Sequence, residues 1–255
     1  MAFRAMVPNA VTALALCFGL TGVRFAIAEE WGAAVGCVVI AGVLDGIDGR
    51  IARLLRANSR FGAELDSLSD VTAFGVAPAL IIYLWSLHQE PQFGWVAALA
   101  LAVCCALRLA RFNSRMDADD QPHKSAGYLT GVPAPAGAGL AFVPVYLWLV
   151  TDLEIFRAWY LTMPWVIFIA LLLISSVATF SWSSLRIRRS SRLFVIAGIG
   201  LFGAALVTQP WVTLLAVSLV YIAMLPFSIA SYGRVRRRRR VAAGRAKPVA
   251  DGREG

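Results

Sequence analysis

Stretches long and apolar enough to cross a bilayer recur along this chain from one end almost to the other. In hydrocarbon every backbone N–H and C=O must be satisfied internally, so such stretches can only be helices or the strands of a closed barrel. Barrel strands alternate polar and apolar residues, and these runs do not. Windows of about 20 residues place helices near 10–28, 31–55, 63–87, 93–113, 134–151, 158–178, 193–208 and 211–231. The expected fold is all-α, a polytopic integral membrane helical bundle of about 8 transmembrane helices over 1–233, followed by a basic, disordered tail over 234–255. Composition agrees: of 255 residues 59% are hydrophobic and 15% charged, against about 25% charged in a soluble domain. Pro91, Pro133, Pro135 and Pro210 fall between the windows, where a missing backbone donor is tolerated.

The connecting segments divide by sign. Those around 50–60, 108–124 and 186–192, with the tail, hold most of the Arg and Lys; those at 29–30, 88–92 and 152–157 hold mostly acids and a single Arg157. The positive-inside rule then puts both termini on the cytoplasmic face of the cell membrane. The net charge of +9 draws on the run Arg234 through Arg240 except Val235, which follows an apolar segment directly. That placement reads as a topology anchor touching anionic membrane lipids, with no nucleic acid partner. At the other end Arg4, the apolar stretch Val11 to Val23 and Ala26-Ile27-Ala28 imitate a cleavable signal. The stretch with its flanks is long enough to span, so a retained first helix is expected. Cys17, Cys37, Cys104 and Cys105 lie in apolar runs without metal-ligand spacing and read as small core residues.

One charged stretch interrupts this pattern. Residues 45–70 read DGIDGRIARLLRANSRFGAELDSLSD, with five acidic and four basic residues. Asp45 and Asp48 are three apart and Asp66 and Asp70 four apart, so each pair occupies one helix face. A short turn near 56–61 makes the two helices antiparallel neighbours, and the four carboxylates can converge. Such a cluster at a membrane boundary needs compensation, because like charges repel and ionised groups are costly to desolvate. Oxygen-only ligands favour a hard divalent ion, Mg²⁺ or Mn²⁺, and such ions are commonly shared with substrate phosphates. Gly46, Gly49, Ala52 and Gly62 leave room for a ligand to approach the backbone, and Arg53 could pair with a phosphate. A solvated hairpin or an ion path are the plainer alternatives; the first does not require carboxylates in helical register, and the second would be lined along its depth.

The spacing Asp45-x2-Asp48-Gly49-x2-Ala52-Arg53-x8-Gly62-x3-Asp66-x3-Asp70 resembles the signature of the CDP-alcohol phosphatidyltransferase family at all eight fixed positions. The resemblance implies a helical membrane enzyme, a homodimer, that uses two divalent ions, Mg²⁺ or Mn²⁺, to join a CDP-activated group to an alcohol and release CMP. Carried over by position, Asp45, Asp48, Asp66 and Asp70 are metal ligands, Asp70 is also the general base, and Gly49, Ala52, Arg53 and Gly62 line the CDP pocket. This agrees with the chemistry: cations neutralise the diphosphate and the leaving group while a base takes the hydroxyl proton.

Two further segments, Ala106-Leu-Arg-Leu-Ala-Arg-Phe-Asn113 and Gly131-Val-Pro-Ala-Pro-Ala-Gly137, and the opening Pro8-Asn9-Ala10-Val11-Thr12, resemble the serine-accepting branch of that family. Ala15 departs from it, standing where many relatives carry a polar Asn. The resemblance implies CDP-diacylglycerol and L-serine as substrates. Arg108 and Arg111 share a helix face and with Asn113 could clamp a carboxylate; topology and headgroup anchoring would equally account for the arginines. Lys124 and Tyr128 are weaker candidates of the same kind, and His88 and His123 read as solvated. The rivals are another acceptor within the family, including a phosphatidylglycerophosphate synthase, a transporter or channel with an acidic ion site, and a structural membrane protein. Four aspartates placed among apolar helices argue against the last.

Overall fold

The computed structural model describes residues 3–57, 59–90, 92–116, 128–175, 178–180 and 192–226. The basic tail, His123 and Lys124 lie outside the described residues, as does much of the basic segments 108–124 and 186–192. The architecture is helical, with one short antiparallel pair, β1 (Tyr128–Thr130) against β2 (Ala178–Phe180).

The first three spans form two successive hairpins. Helix α1 (Phe3–Ile27) turns through Ala28–Glu30 into α2 (Trp31–Leu54), with Glu29 in the left-handed region (φ 61°) and Glu30 N–H bonded to the Phe25 carbonyl at 2.9 Å. The helices approach closely at Gly22, where a Cβ would stand 2.8 Å from the Ala34 carbonyl oxygen. A second turn, with Arg56 at φ 48°, leads into α3 (Arg60–Asp70), capped by Ser59, whose hydroxyl accepts from Gly62 N–H at 3.0 Å. The span continues through a π-helical turn, Val71–Val76, into α4 (Ala77–Trp85), making 26 residues from Arg60 to Trp85. The π turn is held tightly: a Cβ on Gly19 would lie 2.9 Å from the Ala73 Cα, and one on Gly75 would lie 3.1 Å from the Cys105 Cβ.

Helix α5 (Phe93–Met116) is the fourth long span; α6 (Ala134–Ala141) and α7 (Val143–Thr151) make one span bent by 42°, with Pro144 in the first turn of α7. Helices α8 (Trp159–Ile174), α9 (Arg192–Thr208) and α10 (Pro210–Pro226) follow. Each of the eight expected windows overlaps a helix within the described residues, although 158–178 runs past the end of α8 at Ile174. Among the described residues, four helices are long and apolar enough to cross a membrane, or five with the bent pair; α8, α9 and α10 are shorter, and the expected count of 8 is not reached on that criterion. The reason in α8 is local: it ends at Ile174, before Ser175, so its 16 residues rise about 24 Å against a core of about 30 Å. Helix α1 starts well before residue 10 and encloses Pro8.

The core runs from Ala15 and Ala26 through Val35, Phe74, Ile81, Trp85 and Leu101 to Tyr146 and Ile169, all buried. Outward apolar residues such as Val43 (53% exposed), Val103 (51%) and Leu171 (64%) form the kind of surface that only lipid covers without penalty. At the α2 N-terminal end, Arg157 is accounted for: its Nε donates to the Trp85 carbonyl at 2.9 Å and its guanidinium lies over the Trp31 and Trp148 rings. It is a packing residue, which explains one cation among the acidic connections.

Candidate active site

The α2–α3 hairpin brings the aspartates together in two layers. Asp48 and Asp66 each stand nine residues from Ala57 in the turn; Asp45 and Asp70 stand twelve and thirteen residues from it. Antiparallel helices keep equidistant residues side by side, so each pair faces across the hairpin, about one turn apart in depth. Asp45, Asp48 and Asp66 each offer a carboxylate oxygen, all within 4.8 Å of one another. Asp70 stands outside this trio, in the deeper layer beside Asp45.

The charge balance shows what this cluster suits. Two carboxylates 4.8 Å apart repel by roughly 3 kcal/mol at an effective dielectric near 20. Three mutual pairs then approach the ~5–15 kcal/mol that stabilises a whole domain. Asp48 is only 4% exposed, so water does little to relieve this. A divalent cation relieves it directly, and an all-oxygen set of three or four carboxylates fits Mg²⁺ or Mn²⁺.

A cavity of about 220 Å³ opens beside Asp48 and Asp66. Gly49, Ala52 and Gly62 line it, as the resemblance implies. At Gly62 a Cβ would fall 2.9 Å from Asn9 Oδ1 and 3.1 Å from Ser59 Oγ, so a larger residue would displace those two side chains. Arg53 does not line the cavity: it is exposed, and its Nε donates to the Gly49 carbonyl at 2.9 Å, folding the side chain along its own helix. The opposite wall comes from α1 through Pro8, Asn9 and Thr12, with Ala57 and Ser59 at the turn. None of these five was singled out above as a site residue. The signal for Thr12 was available: residues 12 and 48 are each eighteen from Glu30 in the α1–α2 turn, so the hairpin sets them opposite one another. Ala15, one turn on from Thr12, is buried in the core.

The proposed acceptor residues separate. Arg108 is half-buried, lies within electrostatic reach of Asp70, and keeps a buried Nε without a hydrogen-bond partner. Asn113 Nδ2 donates to Ser67 Oγ at 2.8 Å, between Asp66 and Asp70 in sequence. Arg111, in contrast, donates from Nη1 to the Ile174 carbonyl at 2.9 Å and so caps the end of α8. The structure brings Arg108 and Asn113 towards the aspartates and directs Arg111 elsewhere. His88 is exposed with Nδ1 3.3 Å from the Tyr83 carbonyl, past the far end of the same span. Cys37 and Cys105 are buried, and Cys17 is exposed.

Comparison with known proteins agrees with this geometry. The family model described as CDP-alcohol phosphatidyltransferase matches residues 5–182, and a second, CDP-alcohol phosphatidyltransferase 2, matches 191–226. A Mycobacterium leprae protein named CDP-diacylglycerol–serine O-phosphatidyltransferase is 38% identical over 228 residues, covering 88% of this chain and 74% of the relative. A Mycobacterium tuberculosis protein of the same name is 36% identical over 230 residues, covering 89% and 79%. A Helicobacter pylori protein, also so named, is 39% identical over 140 residues, covering 55% and 57%.

Proposed function

The chain belongs to the CDP-alcohol phosphatidyltransferase family, and we propose that it transfers the phosphatidyl group from CDP-diacylglycerol to L-serine, giving phosphatidylserine and CMP. The observation that carries this reading is the convergence of Asp45, Asp48 and Asp66 beside a cavity lined by Gly49, Ala52 and Gly62. The names of the mycobacterial relatives support serine as the acceptor.

In this reading Asp45, Asp48, Asp66 and Asp70 hold two divalent ions, Mg²⁺ or Mn²⁺. When bound, these ions supply charge neutralisation for the diphosphate and for the departing CMP. Gly49, Ala52 and Gly62 admit the nucleotide because they present no bulk to it. Asp70 takes the proton of the serine hydroxyl as its oxygen attacks the phosphorus bearing diacylglycerol. The bond from that phosphorus to the CMP phosphate oxygen breaks, and CMP departs with the electron pair. Arg108 holds the serine carboxylate, and Asn113 supports that side through Ser67. Arg53 turns from the Gly49 carbonyl towards the nucleotide when it arrives. Arg111 acts on the acceptor only by fixing the end of α8.

The same proposal places both termini and the site on the cytoplasmic face of the cell membrane, since the basic connections flank the α2–α3 turn. The shorter apolar helices α8, α9 and α10 complete about eight spans. The chain works as a homodimer, with Gly198, Gly200 and Gly203 of α9, where a Cβ would meet no heavy atom within 4 Å, available for close helix contact.

The test is CMP release by purified protein given CDP-diacylglycerol, Mg²⁺ or Mn²⁺, and serine, glycerol 3-phosphate, inositol phosphate or choline in turn. Serine-dependent release supports the reading. Release with another acceptor removes serine and keeps the family; ion flux in proteoliposomes without CMP release removes the enzyme.

A further inference from the structure

We propose that Thr12 of α1 is a positioning residue for the metal-binding carboxylates, holding one oxygen of Asp48 so that the other is presented to the cation. The inference rests on the reading of the aspartates given above.

A helical threonine ordinarily returns its hydroxyl proton to the carbonyl four residues back. Thr21, Thr72, Thr151, Thr208 and Thr213 do so at 2.7–2.9 Å. Thr12 differs. Its bond to the Pro8 carbonyl is stretched to 3.1 Å, while Oγ1 stands 2.6 Å from Asp48 Oδ2 on the neighbouring helix. A hydroxyl has one proton, and 2.6 Å is the length of a charge-assisted bond to a carboxylate. The proton therefore points at Asp48.

Both partners are buried, Thr12 at 5% and Asp48 at 4% exposure, so the bond is largely shielded from bulk water. The backbone of Thr12 is held in turn by α3: Ser69 Oγ, 3% exposed, donates to the Thr12 carbonyl at 3.2 Å. Thr12 thus joins the helix carrying Asp48 to the helix carrying Asp66 and Asp70. With Oδ2 occupied and the rotamer held, Asp48 offers a single oxygen in a fixed direction. Outer partners of this kind orient ligands, and removing them weakens metal binding by roughly 10–100-fold.

The experiment measures Mn²⁺ affinity of the purified full-length chain by the electron paramagnetic resonance of free Mn²⁺, beside the Mn²⁺ dependence of CMP release. Thr12→Val keeps the shape and removes the donor. It is expected to weaken Mn²⁺ affinity by roughly 10–100-fold, to raise the Mn²⁺ needed for half-maximal rate in parallel, and to leave the KM for serine near the parent value. Thr12→Ser restores the donor and should return affinity to within about threefold of the parent. Thr162→Val removes a buried threonine donor of α8 that bonds the Phe156 carbonyl at 3.2 Å and does not touch Asp48, and its affinity should match the parent. If Thr12→Val does not fold, Thr12→Cys, with only a weak donor, is expected to show the same weakening. Parent-like Mn²⁺ affinity in a folded Val or Cys variant overturns the proposal, as does equal weakening in Thr12→Ser or Thr162→Val. Failure of the parent to bind Mn²⁺ is a separate result, and it removes the metal reading itself.

Discussion

Replacing Gly49 by alanine should make the fold more stable and the enzyme worse. Gly49 lies inside α2, and a Cβ there would meet no heavy atom within 4 Å. A glycine to alanine change in a helix interior gains about 0.8–1.0 kcal/mol when nothing opposes it. For a chain of this size that is a rise in Tm of roughly 2–4 °C. The open space that accepts the methyl, however, adjoins the 220 Å³ cavity that Gly49 lines with Ala52 and Gly62. If the nucleotide packs there, the methyl overpacks the complex by about 1–3 kcal/mol, which is roughly a 5- to 150-fold loss in kcat/KM for CDP-diacylglycerol. The assay is CMP release at varied CDP-diacylglycerol, with thermal denaturation in detergent on the same preparation. Gly36→Ala is the control: it lies in the same helix with equal open space, does not line the cavity, and should gain the stability alone. A Gly49→Ala enzyme more stable than the parent with unchanged kcat/KM would refute the assignment of this cavity to the nucleotide.

Asp70→Asn should reduce turnover by at least a hundredfold with the helical circular dichroism unchanged, since the amide keeps the shape and cannot accept the proton. Chelation by EDTA should abolish CMP release and Mg²⁺ or Mn²⁺ restore it; release that persists in EDTA would remove the cation from the reaction. Arg108→Ala should raise the KM for serine by roughly tenfold or more while changing that for CDP-diacylglycerol little, whereas Arg111→Ala should mainly lower thermal stability by freeing the Ile174 carbonyl. Gly19→Ala would put a methyl 2.9 Å from the Ala73 backbone and should destabilise by about 1–3 kcal/mol, read as a lower Tm.

The aspartate cluster was legible in the sequence because each link in it is local. Spacings of three and four fix a helix face, and a short turn fixes which residue lies opposite which, so Asp45, Asp48, Asp66 and Asp70 could be assembled on paper. Thr12 was not found, because a hydroxyl inside an apolar run reads as filler until the α1–α2 turn is used as a second fold line. Where the Arg53 and Arg111 side chains rest was not legible, for a different reason. A long side chain has several partners within reach, and the carbonyls of Gly49 and Ile174 that they meet are backbone groups that carry no sequence signal. Hydropathy also marks where a bilayer begins and not where a helix does, which is why α1 starts at Phe3 and encloses Pro8. The single window 134–151 likewise hid a bend, since Pro144 could open a helix or end one, and here it opens α7.

The two short turns at Ala28–Glu30 and around Arg56 bear on how a gene for such a chain can change. Surface connections are ordinarily where related proteins gain and lose residues. Here one added residue in either turn must be absorbed by unwinding a helix end or by rotating the following helix about 100°. In the first turn that would carry Asp48 away from Thr12; in the second it would carry Asp66 and Asp70 off the face that meets Asp45. Both turns are held by specific contacts, Glu30 to Phe25 and Ser59 to Gly62, so neither has slack to take up an insertion. Over the first three helices, then, the reading frame of the fold is inherited as a ruler. Drift in length is left to connections that do not set these spacings.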